Sequence, residues 1–356
     1  MKFDLSKEVA RIAEEWNQVC FDSDAAYMSA FDLHGPKGSG KTKAAQELAR
    51  SRTDVYYVSF SRLSYKEAVQ SFVLTYLPER TDIATIPDAV DAFMKKRSRK
   101  HTLIILEDDE DSDAMHECDM QFRYHTDKRK KLILCYIRNM QHNRDHAVRI
   151  WHRSIAEFIK LFPNYDINDA VRLHALTGGM MAVAKELDEN TTYEENVRIL
   201  LDPDSAFSKV LPAMLNECFR TPGSYYPILK SMADGHCRLS EIAKEVGFPN
   251  NKCLKYIEAL IENGFAVAEK LEGSKQSTYH LANTYFAAWC RYVYGRQLMQ
   301  TASPEVLFQY VKEDVDENLT LPDFYAACLR YMNEANRPYS NEYRWSSVIE
   351  TKKPSL

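Results

Sequence analysis

Up to about residue 150, short apolar runs rich in β-branched and aromatic residues alternate with stretches whose apolar positions recur every three to four residues; beyond it the helical spacing prevails. The runs 27–33, 54–60, 102–106 and 131–137 read as strands. Thr102-Leu103-Ile104-Ile105-Leu106 is continuously apolar, as a strand buried on both faces requires. Helices are expected over 5–20, where Leu5, Val9, Ile12 and Trp16 share one face, and over 42–49, 64–76 and 87–97. Strands and helices in alternation predict a doubly wound parallel α/β sheet over residues 1–150.

From residue 151 to 222 the pattern gives helices at 154–162, 168–176, 180–187 and 193–201. Asp166-Ile167-Asn168-Asp169 marks a helix start and Gly178-Gly179 a break, which describes a helical lid. Residues 223–283 carry three helices (226–233, 239–247, 251–260) and two strands (265–269, 278–281) flanking Gly273-Ser274-Lys275, the order of a winged helix-turn-helix. Residues 284–356 open with an aromatic stripe, Tyr285 to Tyr294, at helical spacing, which reads as core. A last helix over 323–334 precedes a polar tail.

One stretch demands a particular ligand. Gly35-Pro36-Lys37-Gly38-Ser39-Gly40-Lys41-Thr42 reads G-x-x-x-x-G-K-T between a strand and a helix, the context of a phosphate-binding loop. Gly35, Gly38 and Gly40 let the backbone curl with its N–H groups inward, and the helix that follows adds its positive end, with Lys43 in its first turn. Lys41 would neutralise charge at the β and γ phosphates of ATP, or at the β phosphate of ADP, and the Thr42 hydroxyl would be a ligand of Mg²⁺. The apolar strand 102–106 delivers Glu107-Asp108-Asp109-Glu110-Asp111, and one of Glu107, Asp108 or Asp109 would serve the metal; the register leaves open which. Arg138, at the tip of the next strand, either reports on the γ phosphate or pairs with a surface acid. The N-terminal helix either braces the first strand or covers the nucleotide base.

Composition narrows the setting. At 356 residues, with 45% hydrophobic and 27% charged side chains, the chain has material for two or three domains. Its net charge of -5 gives no global attraction to nucleic acid or an anionic membrane. The eight cysteines form no C-x-x-C pair, and neither a signal peptide nor an apolar run of membrane-spanning length is present, so a cytoplasmic protein with reduced thiols and no membrane association is expected. Over 224–283, seven Lys or Arg balance seven Asp or Glu. Contact with DNA would then rest on Lys252, Lys255 and Lys275 alone, and a protein partner or self-association is the other use of this segment.

These features together resemble the prokaryotic ATPase family often called archaeal ATPases, a branch of the STAND group within the AAA+ superfamily. The resemblance runs from residue 28 to about 334. It rests on Gly35 to Thr42, the strand leading to Glu107-Asp108, Leu176-Thr177-Gly178-Gly179, Tyr225-Tyr226-Pro227-Ile228-Leu229 through Gly235, Ser240-Glu241-Ile242-Ala243, Tyr256 to Gly264, and Tyr279-His280-Leu281 through Trp289-Cys290-Arg291-Tyr292-Val293. It implies a slow, switch-type ATPase in which ATP lies between sheet domain and lid, Gly178 and Gly179 lie near the nucleotide, and the winged helix couples nucleotide state to domain arrangement. The chain departs from the family pattern at Met181, where Pro is usual, at Tyr136-Ile137, where a small Gly-Ser pair is usual, and at Glu107, where Asp is usual. Phe324 to Asn336 resembles the opening helix of a C-terminal nuclease-like domain. The chain ends before a nuclease centre, and no nuclease activity is expected.

Overall fold

A computed structural model describes residues 5–22, 29–96, 101–108, 112–125, 131–138, 146–150, 152–270, 277–294 and 304–335. They fall into two compact units, which divide between Ile150 and His152.

In the first unit, strands β1 (Ser29–His34), β2 (Val55–Ser59), β3 (His101–Glu107), β4 (Lys131–Arg138) and β5 (Ala147–Arg149) form a parallel sheet in the order β2-β3-β4-β1-β5. Because side chains alternate along each strand, the sheet has two sharply different faces. Phe31 and Leu33 of β1, Leu103 and Ile105 of β3 and Ile133 and Cys135 of β4 share one face with helices α1 (Ser6–Asp22) and α2 (Lys41–Ser51), which contribute Ile12, Trp16, Val19, Ala44, Ala45 and Leu48. The buried face of α1 therefore braces the sheet. Ile104 and Leu106, with Leu132, Leu134 and Tyr136, look the other way onto α3 (Tyr65–Tyr76), α4 (Ile86–Lys96) and α5 (Asp113–Tyr124). There Phe72, Phe93 and Phe122 meet at ring separations of 5.8 to 6.4 Å.

β2 lies at the edge of this sheet, where outward N–H and C=O groups need other partners. Tyr76, at the end of α3, supplies both for one residue. The Tyr57 N–H donates to the Tyr76 hydroxyl oxygen at 3.1 Å, and the Tyr76 O–H donates to the Tyr57 carbonyl.

The second unit begins with α6 (Ile155–Ile159), α7 (Ile167–Thr177), α8 (Met181–Ala184), α9 (Tyr193–Leu201) and α10 (Ala206–Cys218). Asp166 caps α7 as its position suggests, accepting from the Asn168 N–H at 2.8 Å. α8 is one turn, shorter than the expected 180–187. The chain after it turns so that the Glu186 carboxylate accepts from the Ala206 N–H at the start of α10, at 2.6 Å.

Three helices follow, α11 (Tyr226–Ala233), α12 (Leu239–Val246) and α13 (Asn250–Glu262), then an antiparallel ribbon of β6 (Ala266–Lys270) and β7 (Ser277–Leu281). The aromatic stripe is α14 (Thr284–Trp289), continued by a π-helical turn over Cys290–Tyr294. It is core with a specific task. Pro212, inside α10, has no N–H to give the Ser208 carbonyl, and Trp289 Nε1 donates to that carbonyl at 2.9 Å. The Tyr285 hydroxyl donates to the Phe207 carbonyl at 2.8 Å and accepts from the Leu211 N–H at 3.0 Å. Thus α14 repairs the break that proline makes in α10.

The closing helices α15 (Pro304–Val315) and α16 (Leu321–Ala335), joined by a π-helical turn, are tied into the same unit. Arg291 pairs with both carboxylate oxygens of Asp314 at 2.8 and 2.6 Å, and Arg172 likewise with Asp316 at 2.8 and 2.7 Å.

Candidate functional site

The loop between β1 and α2 has the backbone its spelling demands. Gly38 and Gly40 hold φ of 78° and 98°, in the left-handed region that side chains disfavour. Gly35 is needed for another reason: a Cβ there would lie 1.8 Å from the Ile150 carbonyl oxygen, which the chain holds in place through the Ile150 N–H donating to the His34 carbonyl at 2.8 Å. α2 starts at Lys41, so its first N–H groups face the loop.

Lys41 is buried, with 6% of its surface exposed, and its ammonium folds back over the loop to donate to the Gly35 and Pro36 carbonyls at 2.8 and 2.9 Å. The Ser39 hydroxyl, 1% exposed, has no hydrogen-bond partner among the described residues. A cationic loop with a buried amine and an unsatisfied hydroxyl suits a polyphosphate. Lys37 and Lys43 stand in the loop and in the first turn of α2; Pro36 offers only its carbonyl.

The next helical residue reaches the acid strand. The Thr42 hydroxyl donates to Glu107 Oε1, and the Tyr57 hydroxyl to Glu107 Oε2. Glu107 ends β3 on the face that α2 covers. Asp108, one residue further, turns to the opposite side and accepts from the Ser112 N–H and hydroxyl at 2.8 and 2.6 Å ahead of α5. The two-residue period of the strand thus separates two neighbouring acids that the sequence leaves equivalent. Asp109, Glu110 and Asp111 lie outside the described residues.

Thr42 and Glu107 are a hydroxyl and a carboxylate, hard oxygen donors of the kind Mg²⁺ takes. Among the described residues no cluster of three or more His, Cys, Asp or Glu side chains could hold a metal ion by itself. A divalent ion here would complete its coordination with phosphate oxygens and water, as Mg²⁺ commonly does.

Arg138 ends β4, which lies between the acid strand and β1; register places it opposite His34. Its Nε is 3.6 Å from Oδ1 of Asp32, a fully buried carboxylate in β1. The acid it meets is therefore internal. Asp32 escaped the sequence reading, although a lone Asp between Phe31 and Leu33 in an apolar strand is its signal. Tyr57 escaped as well: it looks like any strand aromatic until its face is known. Burial raises the Tyr57 phenol pKa, and its hydrogen bond to Glu107 adds to the shift. Burial also pushes the Tyr76 phenol up to about 12. The His34 imidazole is held below its ordinary value, first by burial, then by the positive charge of Arg149, with Lys41 adding to it against Asp32.

The other expected site residues belong to the second unit. Gly178 and Gly179 hold φ of 58° and 64°, and their surroundings are filled from within that unit. A Cβ on Gly178 would meet the Asn283 side chain at 1.7 Å; one on Gly179 would meet the Arg153 carbonyl oxygen at 2.1 Å. Lys252 and Lys255 are exposed on α13, and the Lys252 ammonium sits 4.1 Å from the centre of the Phe248 ring. Lys275 lies outside the described residues.

Among the described residues no helix is long and apolar enough to cross a membrane. No family model matches the chain. No curated protein matches it. Among solved structures it is similar to a chain in the structure of Drosophila ORC bound to DNA, at TM-score 0.33 and 13% identity over 81% of this chain and 86% of that one. It is also similar to C. elegans PCH-2, at TM-score 0.28 and 15% identity over 73% of this chain and 67% of that one. Neither likeness carries weight at these scores; the α/β assignment stands on the parallel strand order.

Proposed function

We propose that the first unit binds ATP or ADP with Mg²⁺ and acts as a slow, switch-type ATPase. The observation that carries this reading is the meeting of the Thr42 hydroxyl with the Glu107 carboxylate beside a glycine loop that already buries Lys41. In this reading the Gly38–Gly40 backbone and the Ser39 hydroxyl bind the phosphates, and Lys41 exchanges its two loop carbonyls for phosphate oxygens. Thr42 and Glu107 hold the metal, which when bound neutralises charge developing on the β and γ phosphates. Asp108 accepts from Ser112 ahead of α5, and in this reading Glu107, which meets Thr42, is the metal's acid. Arg138, 3.6 Å from the buried Asp32, would in the same reading turn to a γ phosphate when one is bound.

The resemblance supplies the output: a change in the second unit, whose segment α11–α13 with its ribbon reads as a winged helix and whose partner is a protein or a second copy. DNA binding through Lys252 and Lys255 is the weaker use, since that segment carries no net charge.

The test is the nucleotide retained through purification, followed by binding and turnover of added ATP with Mg²⁺ by wild type and Lys41→Ala. Loss of two charge-assisted contacts predicts an affinity drop on the order of a hundredfold or more. Unchanged binding by Lys41→Ala would sink the proposal. Tightly held ADP without turnover would leave a nucleotide-bound scaffold in place of an ATPase.

A further inference from the structure

Glu107 has two partners, and the chemistry of the loop accounts for one of them. Thr42 meets Oε1 from α2; the Tyr57 phenol meets Oε2 from the neighbouring strand. This follows from the register. Ser59 pairs with Glu107 and Tyr57 with Ile105, so Tyr57 stands two residues back along β2 on the face where Glu107 projects. The backbone of Tyr57 is itself held, since Tyr76 takes both its N–H and its carbonyl at the open edge of the sheet. A continuous series of contacts therefore runs from α3 around the sheet edge to the acid: Tyr76, Tyr57, Glu107, Thr42.

We infer that Tyr57 is a positioning residue of the metal site: its O–H holds Oε2 of Glu107 and thereby keeps Oε1 directed at the Thr42 hydroxyl, where a divalent ion bound with nucleotide would be shared. The inference rests on the nucleotide reading above. Its physical basis is the length of the side chain. A glutamate at the end of a strand has one more rotatable bond than an aspartate, and its carboxylate faces the ion in one orientation only if its outer oxygen is tethered. A phenol is a suitable tether because it donates a hydrogen bond without adding charge, so the carboxylate stays an anion for the cation. Outer partners of metal ligands act this way generally, and their removal costs about 10- to 100-fold in metal affinity. The alternative is that Tyr57 is a packing ring whose hydroxyl takes the nearest acceptor.

Tyr57→Phe separates the two, because it keeps the ring and removes the hydroxyl with its bond to Glu107; the contacts of that hydroxyl with Ser59 and Gln46 go too, which is why the Glu107→Gln background is needed. Full-length wild type, Tyr57→Phe, Glu107→Gln and the double variant are titrated with a fluorescent ADP analogue, first in EDTA and then over a range of Mg²⁺; Mn²⁺ binding to the ADP-loaded protein is followed in parallel by electron paramagnetic resonance. The expected result for Tyr57→Phe is unchanged affinity in EDTA and about a tenfold rise in the metal concentration giving half of the full effect. On the Glu107→Gln background Tyr57→Phe adds nothing, because the tether acts only through that carboxylate. A Tyr57→Phe protein with the metal dependence of wild type, or an equal further loss on the Glu107→Gln background, overturns the inference. If Lys41→Ala loses the analogue while Tyr57→Phe leaves metal dependence unchanged, the tether alone fails. If wild type binds no analogue with or without metal, the nucleotide reading fails and the tether with it.

Discussion

Two corners of the described chain, one at Gly38 and Gly40 and the other at Gly178-Gly179, each place more than one glycine in the left-handed region, and they are built differently. Around Gly178-Gly179 polar groups meet partners within the unit: Asn283 Nδ2 donates to the Gly178 carbonyl at 2.9 Å, the Arg153 N–H donates to the Gly179 carbonyl at 3.0 Å, and His174 Nε2 lies 2.8 Å from the Arg153 carbonyl. Around Gly35 to Gly40 the Ser39 hydroxyl is buried without a partner among the described residues, and the Lys41 ammonium is curled onto the carbonyls of its own loop. Glycine content alone does not mark a ligand site. What separates a joint from a cradle is whether the hydrogen-bonding groups around it are satisfied by the fold.

Substituting one glycine at each corner tests the distinction, beginning with the larger effect. Gly35→Ala would force a Cβ onto the Ile150 carbonyl oxygen, a backbone atom that cannot swing aside. The expected cost is about 3 kcal/mol, or roughly 6–12 °C in melting temperature, together with loss of nucleotide binding because the loop must shift. Gly178→Ala meets only the Asn283 side chain, which can swing aside at the loss of its hydrogen bonds to the Gly178 carbonyl and the Tyr285 N–H, and should cost somewhat less, about 2 kcal/mol. Its nucleotide affinity should equal that of wild type in titrations of the folded protein. A loss of affinity there, with melting unchanged, would reverse the comparison and restore the nucleotide role that the family resemblance gives Gly178-Gly179.

The same contrast explains what the sequence could disclose. Strands β3 and β4 were legible because burial on both faces writes itself as an apolar run, β2 through its Val and Tyr residues, and the glycine loop because holding a phosphate dictates such a residue order. β5, three residues long, is too short to show a period. α5 buries only Ala114, Met115, Cys118 and Phe122, a stripe of mostly small or soft residues next to a conspicuous acid run. α10 was hidden by Pro212, which reads locally as a helix breaker; its rescue by Trp289 and Tyr285 comes from more than seventy positions away. At the site, the choice between Glu107 and Asp108 depended on where β3 ends, which no pattern of four apolar residues settles. Tyr57 and Asp32 became visible only when alternation assigned each strand residue to a face.

The smallest effect concerns the charge of the loop and turns on His34, which is 5% exposed and precedes Gly35. Burial first and then Arg149, with a smaller part from Lys41, disfavour its protonation and outweigh the opposing pull of Asp32, so its folded-state value lies below the ordinary 6.5. The unfolded chain then takes up a proton at a higher pH than the folded one. Stability from this group is fully present above about 6.5 and is lost as pH falls below it through the folded-state value. Melting temperature measured stepwise from pH 7.5 downward should therefore decline more steeply in wild type than in His34→Asn. Bound nucleotide should flatten the wild-type slope slightly, because phosphate oxygens near Lys41 offset the positive charge of Arg149 and Lys41, which adds to burial in disfavouring the protonated imidazole. A slope unchanged by saturating nucleotide would mean that the anion sits elsewhere, and the contrast between cradle and joint would lose its electrostatic basis.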